Sequence, residues 1–94
     1  MKCSIALQIL PLANSKTDKI VLIDEVISYL KSEDVNAYVS PFETVIEGEY
    51  EKLMLVLKNA ISLASKYNSN IFANVKINCG SILTTDEKIK KHHA

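Results

Sequence analysis

Thr44-Val45-Ile46-Glu47-Gly48-Glu49-Tyr50-Glu51 changes character in its middle. Thr44 to Glu47 is dense in β-branched residues, whose stiff side chains suit a pleated strand. Gly48 is expected to close that strand. Glu49-Tyr50-Glu51 then sets carboxylates where a helix begins, at the positive end of its dipole. Downstream, Leu53, Val56, Leu57, Ala60, Ile61 and Ala64 recur at helical spacing. They predict an amphipathic helix that ends at the polar turn Tyr67-Asn68-Ser69-Asn70. Upstream, Phe42-Glu43 make a turn, and Pro41 stops a short strand over Val35 to Ser40. A strand–strand–helix unit therefore occupies the centre of the chain, and its flanks decide the rest.

Before it, Cys3, Ile5, Leu7 and Ile9 alternate with Ser4, Ala6, Gln8 and Leu10, the two-residue period of a strand, ended by Pro11. Ser15 or Thr17 is placed to cap a helix over about 17–32, with Asp18 in its first turn. Ile20, Ile23, Val26, Ile27 and Leu30 form its expected apolar stripe. After the central unit, Ile71, Ala73, Val75 and Ile77 alternate with Phe72, Asn74 and Lys76, which predicts a fourth strand. Asn78-Cys79-Gly80-Ser81 reads as a loop, and Thr84 or Thr85 as the cap of a last short helix, Asp86 to His92.

The order βαββαβ with a helical tail closes most economically as an α+β, ferredoxin-like sandwich. Right-handed crossovers put two helices on one face of a four-stranded antiparallel sheet in the order 4-1-3-2. Residues 1–94 read as one such domain, with no repeat, linker or low-complexity segment. Ile5, Leu7, Ile9, Val39, Ile46, Ile71, Ala73, Val75 and Ile77 are expected under the helices. The other face carries Ser4, Ala6, Gln8, Leu10, Tyr38, Val45, Glu47, Phe72, Asn74 and Lys76. That mixture is too apolar for a solvated face and too polar for a plain packing surface. It suits a subunit interface that leaves a polar pocket.

Composition narrows the chemistry. The hydrophobic fraction is 48% over 94 residues, enough for a folded but thin core. Small domains often add subunit contacts to reach stability. Eleven basic residues balance eleven acidic ones, so no net field draws the chain to nucleic acid or to a membrane surface. Every basic residue is Lys; the absence of Arg removes the planar fork that recognises phosphate and carboxylate. The first strand lacks the stacking aromatics of an RNA-binding sheet. No apolar run has the length of a membrane helix or the form of a signal peptide, so the expected location is the cytoplasm. Cys3 and Cys79 make no metal-spaced pair and are expected as two reduced, partly buried thiols. Ser28, Ser62 and Ser81 have no His in the body of the chain to act as a base. His92 and His93 stand together near the end and read as a tail rather than a metal site. Neither a catalytic constellation nor a metal site is found.

The central segment carries a resemblance. Thr44-Val45-Ile46-Glu47-Gly48-Glu49-Tyr50-Glu51, running into an amphipathic helix, resembles the T-x-x-E-G-E-(aromatic)-(acidic) signature of the thiamine-binding protein family. The strand ending in Leu10-Pro11, the strand Phe72 to Ile77 and the tail Glu87-Lys88-Ile89 are similar in kind and position. The chain departs from the pattern at Pro41-Phe42-Glu43 and at Asn78-Cys79-Gly80. The resemblance implies a ferredoxin-like fold, pairing into homodimers or homotetramers through the sheets, and non-catalytic binding of thiamine or its pyrimidine part. Thiamine enters as a ligand, with no cofactor. Glu47 can offset the thiazolium or accept from the amino group; equally, it can serve as a carboxylate near the following helix. Gln8 and Asn74 can face ring nitrogens, and Tyr38 or Phe72 can stack on a ring or on the cation. With Thr44 of the motif, these are the candidate ligand-binding residues. The missing Arg and the lack of a Gly-rich loop favour an unphosphorylated ligand. A regulatory or structural oligomerising module without a ligand is the alternative.

Overall fold

The computed structural model describes residues 1–12 and 16–92. Its elements are β1 (Lys2–Pro11), α1 (Lys16–Ser32), β2 (Asn36–Val39), β3 (Thr44–Glu49), α2 (Tyr50–Ser65), β4 (Ile71–Cys79) and α3 (Thr85–His92). The strands form one sheet in the order β2-β3-β1-β4, the expected order read from the opposite edge. All three pairings are antiparallel. The fold is ferredoxin-like α+β. Of the expected caps of α1, Ser15 and the side chain of Thr17 lie outside the described residues, as does His93.

Register fixes the faces. Ile5 opposes Ile46 on one side and Ile77 on the other, and Leu7 opposes Thr44 and Val75. These point toward the helices. The next residues along, Ala6, Val45 and Lys76, point away, as does Tyr38 opposite Val45. The core is Cys3, Ile5, Leu7, Ile9 and Ile46 from the sheet against Leu22, Val26 and Leu30 of α1 and Leu53, Val56, Ala60 and Ala64 of α2.

Several expectations change. The buried stripe of α1 is Leu22, Val26 and Leu30, whereas Ile20 and Ile23 are exposed. α1 carries apolar residues on nearly every side, so its spacing admits two registers. Ile61 of α2 is likewise exposed. Val39 and Ile77 lie on the helix side of the sheet but on its edge strands, and both stay about half exposed. β3 does not stop at Gly48; the ladder to β1 continues to the pair Lys2 and Glu49. β4 also continues, through Asn78 and Cys79.

That continuation corrects the reading of the cysteines. Cys79 comes directly opposite Cys3 at the end of the β1–β4 ladder, with a Cα–Cα distance of 4.1 Å. Such a spacing belongs to a close, non-hydrogen-bonded antiparallel pair. The two are joined as a disulfide, not reduced thiols. Gly80 follows with a φ of 104°, a left-handed turn that a side chain would strain. Its N–H donates to the carbonyl of Lys2 at 2.9 Å.

Candidate functional site

The last helix goes where only bare sheet was expected. Thr84 caps α3: its Oγ1 accepts from the Glu87 N–H at 3.0 Å, and the Glu87 carboxylate accepts from the Thr84 N–H at 3.1 Å. This is a reciprocal capping box written as Thr84-Thr85-Asp86-Glu87. The bond holds the Glu87 carboxyl below its ordinary range. The helix start so fixed lands on Glu47, whose Oε2 accepts from the Thr85 N–H at 2.7 Å. Lys88 Nζ also reaches Asn78 Oδ1 at 3.4 Å, and Asn78 lies on the same sheet face through its register with Ser4. α3 therefore covers one end of the face opposite α1 and α2.

Glu47 is buried by this contact. It sits two residues from Val45 on β3 and so shares a face with Tyr38 of β2. Tyr38, Glu47, Asn36, Ile82, Thr84 and Asp86 line a cleft of about 250 Å³, together with Lys2, Cys3 and Gly48. Burial is the first cause that pushes the Tyr38 phenol above its ordinary range; the carboxylates of Asp86 and Glu47 add to it. The neighbouring Glu49 is differently engaged. Its carboxylate pairs with the N-terminal amine at 3.1 Å and with Lys2 Nζ at 3.2 Å, and these cations hold its pKa down. The cleft thus keeps two carboxylates and an aromatic ring, and the cation at its rim is already paired.

The six sequence candidates do not form one site. Tyr38 and Glu47 meet in the cleft. Gln8 and Asn74 are opposed across β1 and β4, and the Asn74 Nδ2 donates to Gln8 Oε1 at 3.0 Å. With Phe72, which is exposed, they occupy the half of the open face that α3 leaves uncovered. Thr44 lies apart from both groups: opposite Leu7, it points to the helix layer and is buried. There it borders a second, apolar cleft of about 220 Å³ between α1 and the Ser40–Glu43 turn. Of the two readings of Glu47, the helix it meets is α3 rather than the nearby α2. Asn36, Ile82 and Asp86 were missed as cleft residues. The capping box was readable, but where its helix docks depends on the two residues by which β4 outruns its apolar alternation.

Fold and cleft together define a small two-layer ferredoxin-like domain with an acidic, aromatic recess beneath its terminal helix. Over residues 5–93 it matches the family described as thiamine-binding protein, and the chain belongs to that family. It is 33% identical over 94 residues to a UPF0045 protein of Clostridium perfringens (strain 13 / Type A), with 96% of each chain covered. A solved structure of a Streptococcus pneumoniae protein is 53% identical, with a TM-score of 0.85 over 96% of this chain and 99% of that one. A Thermotoga maritima protein, provisionally described as acting in thiamine biosynthesis or salvage, superposes with a TM-score of 0.88 over 99% and 100% of the two chains. At 21% identity that likeness shows the fold. Among the described residues, no helix is long and apolar enough to cross a membrane.

Proposed function

We propose that this chain is a non-catalytic, homo-oligomeric binder of unphosphorylated thiamine or a related aminopyrimidine, serving storage, delivery or sensing in the cytoplasm. One observation carries the reading: a thiamine-binding family chain sets Tyr38 beside the carboxylates of Glu47 and Asp86 in a cleft of about 250 Å³. A thiazolium is a delocalised cation. Against an aromatic face it gains about 0.5–2 kcal/mol, the larger value where water is excluded. Carboxylates near the ring add a Coulombic attraction and accept from an exocyclic amino group. The same charges repel a diphosphate, and the chain has no Arg to offset it.

Calorimetry with thiamine, thiamine diphosphate and the free aminopyrimidine tests this. Thiamine is expected to bind, and the diphosphate at least about tenfold more weakly, a difference of about 1.4 kcal/mol. No heat and no thermal shift at millimolar thiamine would remove the ligand assignment. Glu47→Gln keeps an oxygen to accept from Thr85 but loses the charge. It is expected to weaken thiamine binding by roughly tenfold while leaving assembly intact; unchanged affinity would exclude Glu47 from the site.

The uncovered half of the open face supports the oligomeric part. Leu10 and Phe72 are directly opposed and exposed, and beside them the Asn74 amide donates to the Gln8 carbonyl oxygen. An apolar patch with internally paired polar groups suits a dry packing surface. If that surface were the chain's only function, the alternative of a ligand-free interaction module would hold, and none of the three compounds would bind.

A further inference from the structure

We propose that the Cys3–Cys79 disulfide is a redox-responsive clip that holds α3 over the cleft, so that its reduction loosens α3 and lowers ligand affinity. The ligand half of this rests on the thiamine reading above; the clip itself does not. The disulfide joins the last pair of the β1–β4 ladder, the point where a ladder begins to fray. Beyond it the chain is tied to β1 by the Gly80 N–H on Lys2, and then turns through the positive φ of Gly80 toward α3. α3 has eight residues, too few to persist as a helix without anchors. Its anchors are Glu47, through Thr85, and Asn78, through Lys88. Asn78 is itself the residue before Cys79. The position of the β4 end therefore sets the position of the helix that supplies Asp86 to the cleft. Cys3 lines that cleft.

The chemistry is complete with a dithiol reductant. Cys3 is buried and Cys79 partly exposed, so a reagent thiolate attacks the Cys79 sulfur. The Cys3 sulfur leaves as a thiolate and takes a proton. The reagent's second thiol displaces Cys79 from the mixed disulfide, and Cys79 is protonated in turn. Two electrons and two protons reach the protein, and the reagent ends as a cyclic disulfide. A small-molecule disulfide reverses the exchange. In a reducing cytoplasm a protein disulfide is ordinarily of this transient kind.

Hydrogen exchange on the full chain without ligand, oxidised and then reduced with dithiothreitol, is the test, followed by thiamine titration of both forms. Reduction is expected to speed exchange over residues 80–88 by about tenfold, to leave the middle of the β1–β4 ladder unchanged, and to weaken thiamine binding at least about threefold. The Cys3→Ala, Cys79→Ala double variant should match the reduced form and ignore dithiothreitol. Two free thiols in air-oxidised protein, or equal exchange over 80–88 in both forms, overturns the clip. Altered exchange with equal thiamine affinity overturns its control of the cleft. Failure of thiamine to bind in either form removes the ligand assignment, while the exchange data still decide the clip.

Discussion

Tyr38 shows how a single side chain reports on its surroundings. Its phenol is pushed above 10.0, first by burial and then by Asp86 and Glu47. A raised folded-state pKa means that the neutral hydroxyl is favoured in the folded protein. The associated stability is whole below pH 10 and is lost as pH rises through the higher folded value. Thermal melts from pH 9 to 11 should therefore show an alkaline loss for the wild type that is smaller in Tyr38→Phe. Tyr29, also raised by burial and by its bond to Glu33, contributes in the same direction. An identical alkaline slope in the two proteins would place Tyr38 away from the carboxylates. Because Phe retains the ring, thiamine affinity should change little. At this scale the sequence was half legible. Tyr38 and Glu47 were named from strand alternation, which the register bears out. Asp86 was not, because nothing local in Thr84-Thr85-Asp86-Glu87 says which surface its helix will meet.

The helices separate what periodicity can decide from what it cannot. α2 has one apolar stripe, and Leu53, Val56, Ala60 and Ala64 were all expected and are all buried. α1 has Ile20, Val21, Leu22, Ile23, Val26, Ile27 and Leu30 around its circumference, so spacing alone offered Ile20 and Ile23 where packing selected Leu22. The pair of substitutions Leu22→Ala and Ile20→Ala makes the difference measurable. Leu22 is fully buried and Ile20 is 52% exposed. The first should lose about 2–5 kcal/mol in denaturant unfolding, the second no more than about 0.5 kcal/mol. The reverse order would restore the expected stripe. For α3 the element-scale prediction concerns its cap. Thr84→Ala should weaken the helix by about 1 kcal/mol, read as faster exchange of its amides with little change in global melting. Glu87 adds a pH term. Its depressed pKa gives stability that is present above the ordinary value of 4.5 and lost as pH falls through the folded value. Protection of α3 should therefore decline in acid before the sheet does.

At the scale of the whole molecule, topology was the most legible property, because four alternating strands and two long helices leave few right-handed closures. Less legible was how the second face of the sheet is shared. α3 takes one end through Glu47 and Asn78; Gln8, Leu10, Phe72 and Asn74 are left at the other. The accessible surface is 6124 Å², against about 5400 Å² for a compact monomer of this size. A stable homodimer needs about 800 Å² from each protomer, roughly an eighth of that surface. The half-face centred on Phe72 offers an apolar centre with a rim made by the Lys76–Glu43 pair, 3.3 Å apart. Phe72→Asp sets a charge at that centre and, in an assembled form, buries it without a partner. Since Phe72 is 54% exposed in the single chain, the substitution should leave circular dichroism and the fold unchanged. Light scattering after size exclusion should then give a multiple of the chain mass for the wild type and the single-chain mass for Phe72→Asp. An unchanged multiple would move the interface to another surface, and a wild-type monomer would remove it. Thiamine titration of the Phe72→Asp monomer then separates the two halves of the face. Binding should persist if the Tyr38–Glu47–Asp86 cleft is complete within one chain, and should vanish if the subunit partner closes it.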